Sequence, residues 1–202
     1  MKKKMYLIVK RLCDIIIAML GMIVLIPIFV IVAPIIKLET KGKVIYKQKR
    51  IGKNGKEIEI YKFRTMVTNA DKIIENLPEN LKKEYKENYK IANDPRITRV
   101  GKILRYTNID ELPQIINVLK GEMSIIGTRP ILEEELKKYN NSEKKKLLSA
   151  TPGISGYWQV NRGKCKDYAD RINMELYYVE KMSLLLDIKI FMKTLKLLVY
   201  GV

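Results

Sequence analysis

The chain has 202 residues, of which 39 are Lys or Arg and 22 are Asp or Glu, and it contains no His. Without imidazole, Ser-His-Asp triads and His-based zinc sites are excluded, so catalysis must use carboxylates, Lys, Arg, hydroxyls or thiols. The two cysteines, Cys13 and Cys165, are too few for a disulfide framework, which favours a reducing, cytosol-facing compartment. The net charge of +17 indicates an anionic partner: nucleic acid, an acidic membrane surface or a phosphorylated substrate.

An uncharged apolar segment runs from Ile15 to Ile36. As a continuous helix it would reach about 33 Å, which is enough to cross a bilayer. Two observations argue against a plain crossing: Pro27 removes a backbone hydrogen bond near the middle, and residues 1–56 carry 13 Lys or Arg against Asp14 and Glu39. Basic flanks satisfy the positive-inside rule best if both ends stay in the cytoplasm. The sequence therefore predicts a re-entrant helix-break-helix in one leaflet, with a kinked single crossing as the alternative.

The rest of the chain is predicted to be mainly helical with a small β-hairpin. The hairpin is expected within residues 44–66, where two β-prone runs surround the turn signal Lys53-Asn54-Gly55. The other expected elements are helices over 68–91 with a second piece from Pro78, a helix over Arg99–Tyr106, a helix through QIINVLKG, a Glu-rich helix with a solvated face within 131–146, a glycine-containing loop over 151–162, and an amphipathic stretch from Arg171 to Tyr200 broken near Ser183.

These elements predict an α+β fold, mainly α, attached to one face of a membrane. Residues 1–40 are expected to form the re-entrant helix and its basic flanks. Residues 41–202 are expected to form a helical catalytic domain on the cytoplasmic face, with amphipathic helices in the membrane interface.

Asp110 and Glu111 are adjacent carboxylates at a predicted helix start. Pro113 has no N–H and belongs in the first turn of a helix, which places Asp110 at or next to the N-cap. One interpretation is a cap and a first-turn acid that only stabilise the helix. The other is that the helix dipole keeps Asp110 ionised as a nucleophile or metal ligand. The two residues alone do not decide between these interpretations.

Four basic residues, Lys62, Arg64, Arg105 and Arg129, lie near Asp110 or beside apolar neighbours in turns and strand ends. Basic residues in such positions are typical of anion clamps, although a salt bridge to one of the many Glu residues is the alternative for each. Together with the carboxylates they outline a diphosphate site. A divalent cation such as Mg²⁺, with Asp110 as its protein ligand, would bridge the phosphates and the carboxylates.

Four motifs resemble the bacterial monotopic phosphoglycosyl transferases in their minimal form. They are YKFRTM at 61–66, DPRITRVGKILR at 94–105, DELPQIINVLKGEMSIIGTRP at 110–130, and TPGISGYWQVN at 151–161. The resemblance runs in order from residue 5 to the C-terminus. The sequence departs from the common pattern at three places, which are Ile26 in place of Ser, Thr128 in place of Pro, and Asn161-Arg162-Gly163 in place of Asn-Gly-Arg.

The resemblance implies transfer of a phospho-sugar from a UDP-sugar to polyprenol phosphate, typically undecaprenyl phosphate, with release of UMP. It implies a covalent, Mg²⁺-dependent route at the cytoplasmic face of the bacterial inner membrane, as the first membrane step of capsule, exopolysaccharide or glycoprotein glycan assembly. Asp110 is implied as the nucleophile and Glu111 as its dyad partner. Lys62, Arg64, Arg105 and Arg129 are implied as phosphate ligands. No nucleic-acid partner is expected, and a homo-oligomer is left open.

Two interpretations of another class stay open. The first is a membrane-tethered module that binds nucleic acid or anionic lipid through its charge, and the second is a non-catalytic scaffold. Trp158 is expected either to stack on uracil or sugar or to anchor its loop. Glu175 and Asp187 are expected to form surface or interhelix salt bridges, with support of a metal as the alternative. The identity of the sugar and the role of Arg162 are left open.

Overall fold

The computed structural model describes residues 2–88 and 91–200. In chain order its elements are α1 (Lys2–Glu39), β1 (Ile45–Ile51), β2 (Glu57–Phe63), α2 (Ala70–Glu75), α3 (Glu79–Asn88), α4 (Arg99–Tyr106), α5 (Ile115–Lys120), β3 (Ser124–Ile126), α6 (Glu133–Leu136), α7 (Asn141–Leu147), β4 (Gly153–Ser155), α8 (Tyr157–Asn161), α9 (Tyr168–Lys181) and α10 (Leu184–Tyr200). Short 3₁₀ turns lie at Lys53–Gly55, Ile109–Gln114 and Arg162–Lys164. The prediction of a mainly helical chain with a small hairpin is confirmed, since β1 pairs with β2.

The chain divides by its internal contacts into two units. The first unit comprises Met1–Leu25, Lys47–Tyr61 and Pro113–Val202, and the second comprises Ile26–Tyr46 and Lys62–Leu112. Each unit includes part of α1. This division follows packing and differs in kind from the predicted boundary between a membrane helix and a catalytic domain at residue 40, which stays a prediction.

α1 is one helical element that contains both Pro27 and Pro34. The predicted break at Pro27 is not seen as an interruption, because a proline can bend a helix without ending it. Most of the large apolar side chains of α1 are exposed, among them Met19, Ile23 and Val30. By length and composition this helix is able to cross a membrane. A re-entrant course and a single crossing therefore both stay predictions.

In the first unit, the N-terminal half of α1 packs through Ala18 onto Ile58, Ile60 and α5. The carboxylate of Asp14 is also buried in the unit. Asp14 accepts hydrogen bonds of 2.9 Å from the Ser124 hydroxyl and the Ile125 amide at β3. These contacts make the first turns of α1 part of the folded core.

A second, parallel pair of strands lies in the first unit. Ser124 of β3 is in register with Gly153 of β4, and Ile126 with Ser155. A Cβ on Gly153 would lie 2.1 Å from the Gly127 amide nitrogen, so the two backbones require glycine there. The prediction of a loop over 151–162 is therefore wrong, because this stretch contains β4 and α8.

The long helices α9 and α10 end and begin on either side of Ser183, as the sequence predicted. Asp187 of α10 accepts hydrogen bonds from Tyr6 at 2.9 Å, Lys10 at 2.8 Å and Tyr178 at 2.8 Å. The interhelix salt bridge expected for Asp187 is therefore confirmed. The solvated face predicted for 131–146 is only partly correct, because Glu135 is buried and pairs with Arg171 at 3.0 Å.

In the second unit, the end of β2 packs against both α1 and α4. Phe63 lies 5.8 Å from Phe29 between ring centroids. Thr98 caps α4 by accepting a 2.9 Å hydrogen bond from the Gly101 amide, as expected for a hydroxyl at this position. Gly101 packs directly on the Thr65 carbonyl, where an added Cβ would lie 2.1 Å from that oxygen. The helix predicted over Arg99–Tyr106 is confirmed and sits close to the strand end.

Candidate active site

Asp110 and Glu111 lie in the 3₁₀ turn Ile109–Gln114, directly before α5. The predicted N-cap position in an α-helix is therefore wrong. Pro113 is accommodated inside the 3₁₀ turn, and Asn108 enters the turn with a φ of 56°, a left-handed conformation that Asn tolerates. The turn is closed by the Glu111 amide, which donates to the Asn108 carbonyl at 3.2 Å.

Asp110 is buried, with 7% of its surface exposed. Burial raises the pKa of its carboxyl from 3.8 to about 6, and the negative charge of Glu111 acts in the same direction, whereas Lys62 and Arg105 oppose both effects. One of the two interpretations of the sequence was that the helix dipole keeps Asp110 ionised. The dominant influence is instead burial, which disfavours the charge, so Asp110 is an anion above about pH 6 and neutral below it.

Lys62 and Glu111 form a close ion pair at one side of this carboxylate. The Lys62 ammonium nitrogen lies 2.6 Å from Glu111 Oε1, and 19% of the Lys62 side chain and 32% of the Glu111 side chain are exposed. Lys62 therefore forms the salt bridge to a Glu that was the alternative to a phosphate clamp, and its role as a phosphate ligand stays a prediction. The Lys62 charge also acts on Asp110, because it lowers the pKa of that carboxyl.

The Arg105 side chain is held by a hydrogen bond to Thr65. Its Nε donates a 2.9 Å hydrogen bond to the Thr65 hydroxyl. Burial lowers the pKa of the Arg105 guanidinium, while the charge of Asp110 raises it. Thr65 was not predicted as a site residue, and its signal in the sequence is its place directly after Arg64 in the motif YKFRTM.

Arg64 uses its guanidinium on the main chain. It donates to the Lys41 carbonyl and, at 2.8 Å, to the Thr40 carbonyl, and only 8% of its surface is exposed. The predicted phosphate contact of Arg64 has no support in this arrangement, because its terminal nitrogens already bind the carbonyl oxygens of the two residues that follow α1.

Arg129 lies in the first unit, whereas the five other predicted site residues lie in the second. Its amide faces both oxygens of Glu175 at 3.2 Å, and its guanidinium lies 5.5 Å from the Trp158 ring centroid. Glu175 is only 2% exposed, and burial raises the pKa of its carboxyl to about 7. The expected surface or interhelix salt bridge of Glu175 is therefore wrong, because its hydrogen bonds are to a backbone amide.

Trp158 is contacted by a second guanidinium, that of Arg171, at 4.6 Å from the ring centroid. Two cations over one indole support the interpretation of Trp158 as an anchor within the first unit. Its stacking on uracil or sugar stays a prediction.

Asp110 and Glu111 are the two carboxylates of the candidate site. Within residues 2–88 and 91–200 no group of three or more Asp, Glu, Cys or His side chains is placed to hold a metal. Mg²⁺ commonly binds one or two protein carboxylates together with substrate phosphates and water. Asp110 with its neighbour Glu111 fits that donor set, and a resident cage of protein ligands is not what these residues offer.

The model of the family described as bacterial sugar transferase matches residues 5–201. The chain belongs to the bacterial sugar transferase family. The prediction of an enzyme of the phosphoglycosyl transferase class is thereby confirmed. Several of its relatives are named as transferases, which favours this class over the alternatives of a binding module and a non-catalytic scaffold.

Three relatives show how far the similarity extends. The exopolysaccharide production protein ExoY of Sinorhizobium fredii is 39% identical over 189 residues, which cover 92% of this chain and 83% of that protein. The UDP-glucose:undecaprenyl-phosphate glucose-1-phosphate transferase of Klebsiella pneumoniae is 38% identical over 92% of this chain and 39% of that protein. The undecaprenyl-phosphate galactose phosphotransferase of Salmonella typhimurium is 42% identical over 77% of this chain and 33% of that protein. The chain thus spans most of ExoY and well under half of the other two proteins.

Proposed function

We propose that the chain transfers a sugar 1-phosphate from a UDP-sugar to polyprenol phosphate, with undecaprenyl phosphate as the acceptor, and releases UMP. The names of the Klebsiella and Salmonella relatives support this acceptor, and the first also supports a UDP-sugar donor. The observation that carries the proposal is the buried Asp110, flanked by the Lys62–Glu111 ion pair. A desolvated carboxylate beside fixed cations suits attack on phosphorus.

In the first step an oxygen of the Asp110 carboxylate attacks the β-phosphorus of the donor. The bond from that phosphorus to the oxygen bridging to the α-phosphate breaks, and UMP leaves with the electron pair. In the second step an oxygen of the lipid phosphate attacks the same phosphorus and releases the Asp110 carboxylate. Lys62 and Arg105 offset the phosphate charge in both steps, and Glu111 assists deprotonation of the lipid phosphate.

Bound Mg²⁺ would supply further neutralisation of the diphosphate charge, and Asp110 and Glu111 are the carboxylates that would hold it. Arg129 stays a predicted phosphate ligand. Product release at neutral pH needs little proton transfer, because the leaving group is a phosphate monoester. A site without His is therefore adequate for this reaction.

The proposal places the enzyme at the cytoplasmic face of the bacterial inner membrane, with α1 entering one leaflet and returning. The exposed apolar side chains of α1 support membrane contact. The test is labelling of introduced cysteines from the periplasmic side, with Lys3→Cys and Lys53→Cys as the two probes. Protection of both positions supports the re-entrant course, and labelling of one position alone rejects it.

Trapping of the intermediate tests the chemistry. Wild-type protein and Asp110→Asn are incubated with UDP-sugars that carry label in the sugar phosphate, without acceptor, and Glu57→Gln serves as an exposed-carboxylate control. We expect label on the wild type and the control, its transfer to polyprenol phosphate on chase, and none on Asp110→Asn. UMP release that survives in Asp110→Asn would refute the nucleophile, and inactivity with every donor would favour a scaffold.

A further inference from the structure

The C-terminal end of α1 is bound to two other elements of the second unit. The Glu39 carboxylate accepts hydrogen bonds from the first amides of α4, at 2.7 Å from Arg99 and 3.1 Å from Val100. The Arg64 guanidinium, on the chain directly after β2, donates to the carbonyls of Thr40 and Lys41. One helix end is therefore tied to both β2 and α4.

Each of these contacts has a favourable electrostatic basis. The first amides of a helix carry partial positive charge and lack intrahelical partners, so a carboxylate from another element stabilises them. Thr40 and Lys41 directly follow the last residue of α1, and their carbonyls accept from a charged donor, which makes the hydrogen bonds stronger than those between neutral groups. Glu39 thus satisfies the start of α4, and Arg64 fixes the turn that leaves α1.

Position 42 has no room for a side chain beside the Arg64 guanidinium, so only glycine fits there. Gly42 has a φ of +118°, and a Cβ there would lie 2.7 Å from Arg64 Nη1. A side chain at this position would strain the backbone and collide with the guanidinium. The turn after α1 is therefore shaped around Arg64.

β2 and α4 are the elements that present the cations beside Asp110. Lys62 lies on β2, two residues before Arg64, and Arg105 lies in the last turn of α4. The two elements are also joined directly, because the Thr98 amide donates to the Thr65 carbonyl at 3.0 Å and Arg105 donates to the Thr65 hydroxyl. A displacement of either element would move a cation relative to the carboxylate.

We propose that Glu39 and Arg64 are positioning residues that use the end of α1 to fix Lys62 and Arg105 around Asp110. Arg64 acts on main-chain carbonyls and not on a substrate phosphate. The inference rests on the proposed function, since it assigns the two cations to phosphate binding. Its physical content is that an error of about 1 Å in the placement of such groups can cost about 100-fold in rate.

A kinetic comparison separates positioning from phosphate binding. Arg64→Gln and Arg64→Lys are measured in the full-length protein in nanodiscs, and Lys49→Gln, which alters an exposed cation of β1, is the matched control. We expect kcat to fall about tenfold or more in both Arg64 variants, with the donor KM within about twofold of wild type. A phosphate ligand would instead show a raised KM and rescue by Lys, and that result overturns the proposal. Unchanged kinetics in both variants also overturn it.

Hydrogen exchange tests the same contacts without any substrate. Arg64→Gln is expected to accelerate exchange in peptides covering 37–44, and Glu39→Gln in peptides covering 98–106, whereas Lys49→Gln changes neither. Unchanged exchange in both regions refutes the proposed role of Glu39 and Arg64 in fixing the end of α1. If the wild type is inactive with all donors while exchange changes as expected, the proposed function fails, and only the structural role of Glu39 and Arg64 is supported.

Gly42→Ala provides a second route if an Arg64 variant does not fold. It retains Glu39 and Arg64 but places a methyl group against the guanidinium, so the same loss of kcat with an unchanged donor KM is expected. A normal kcat together with faster hydrogen exchange over 37–44 would show that the end of α1 can become more mobile without loss of activity. That result would overturn the positioning role.

Discussion

Replacement of Asp110 by Asn is expected to abolish transfer and also to stabilise the protein. Asn has nearly the same shape as Asp but carries no charge and cannot attack phosphorus. In the folded protein 7% of the Asp110 surface is exposed, and the pKa of its carboxyl is raised from 3.8 to about 6. The ionised form is therefore disfavoured by folding, and the neutral amide avoids that cost.

The magnitude follows from the two pKa values. At 1.36 kcal/mol for each pKa unit, the difference between 3.8 and about 6 corresponds to about 3 kcal/mol of unfolding free energy. Because the folded pKa is the higher one, wild-type stability is lost as pH rises through the interval from about 4 to 6, and the full cost is present at pH 8. For a chain of this length, this predicts an unfolding midpoint about 6–12 °C higher in Asp110→Asn at pH 8.

The assay is thermal unfolding of ligand-free protein in detergent with EDTA, at pH 8 and at pH 4. The variant should gain stability at pH 8 and lose most of that advantage at pH 4, where the wild-type carboxyl is neutral. Glu57→Gln, which alters an exposed carboxylate, controls for the general effect of removing a charge. A lower midpoint for Asp110→Asn at pH 8 would refute the reasoning, since it would mean that the attraction of nearby cations outweighs desolvation.

Three further substitutions test the packing. Glu175→Gln is expected to raise the unfolding midpoint at pH 8 but not at pH 4, because the folded pKa of about 7 makes wild-type stability fall between about pH 4.5 and 7; an equal effect at both pH values would contradict this. Asp187→Asn should cost about 3 kcal/mol or more by leaving the partly buried Lys10 without its carboxylate, and a cost below about 1 kcal/mol in chemical unfolding would refute that account. Gly101→Ala should lower both stability and kcat, because its Cβ meets the Thr65 carbonyl, and wild-type values of both would show that α4 can shift freely.

Elements with local signals were predictable from the sequence. The hairpin follows from the turn at Lys53–Gly55, where Asn54 and Gly55 adopt positive φ, and α4 follows from its cap and periodicity. The pair β3 and β4 was not predictable. Each strand has three residues, the pairing joins distant parts of the chain, and its determinant is close backbone approach at glycines. No hydrophobic period records such an approach.

Some features of the candidate site were likewise predictable from the sequence, and others were not. The sequence predicted that Lys62, Arg105, Asp110 and Glu111 act together, and the structure places all four in one unit. The raised pKa of Asp110 was not predictable, since burial is a property of the tertiary structure. The partners of Arg64 were equally hidden, because main-chain carbonyls are present at every residue and leave no pattern in the sequence.

Two of the basic residues near the start of α1 bind other groups of the protein. Lys10 pairs with Asp187 at 2.8 Å, and Arg11 donates to the carbonyls of Val118 and Leu119 at 2.6 and 2.9 Å. These two charges are used within the protein, so they contribute less to attraction by anionic lipid than a count of the flank suggests. Membrane contact is argued more strongly from the exposed apolar side chains of α1, whose burial in lipid has no competing partner in the described structure.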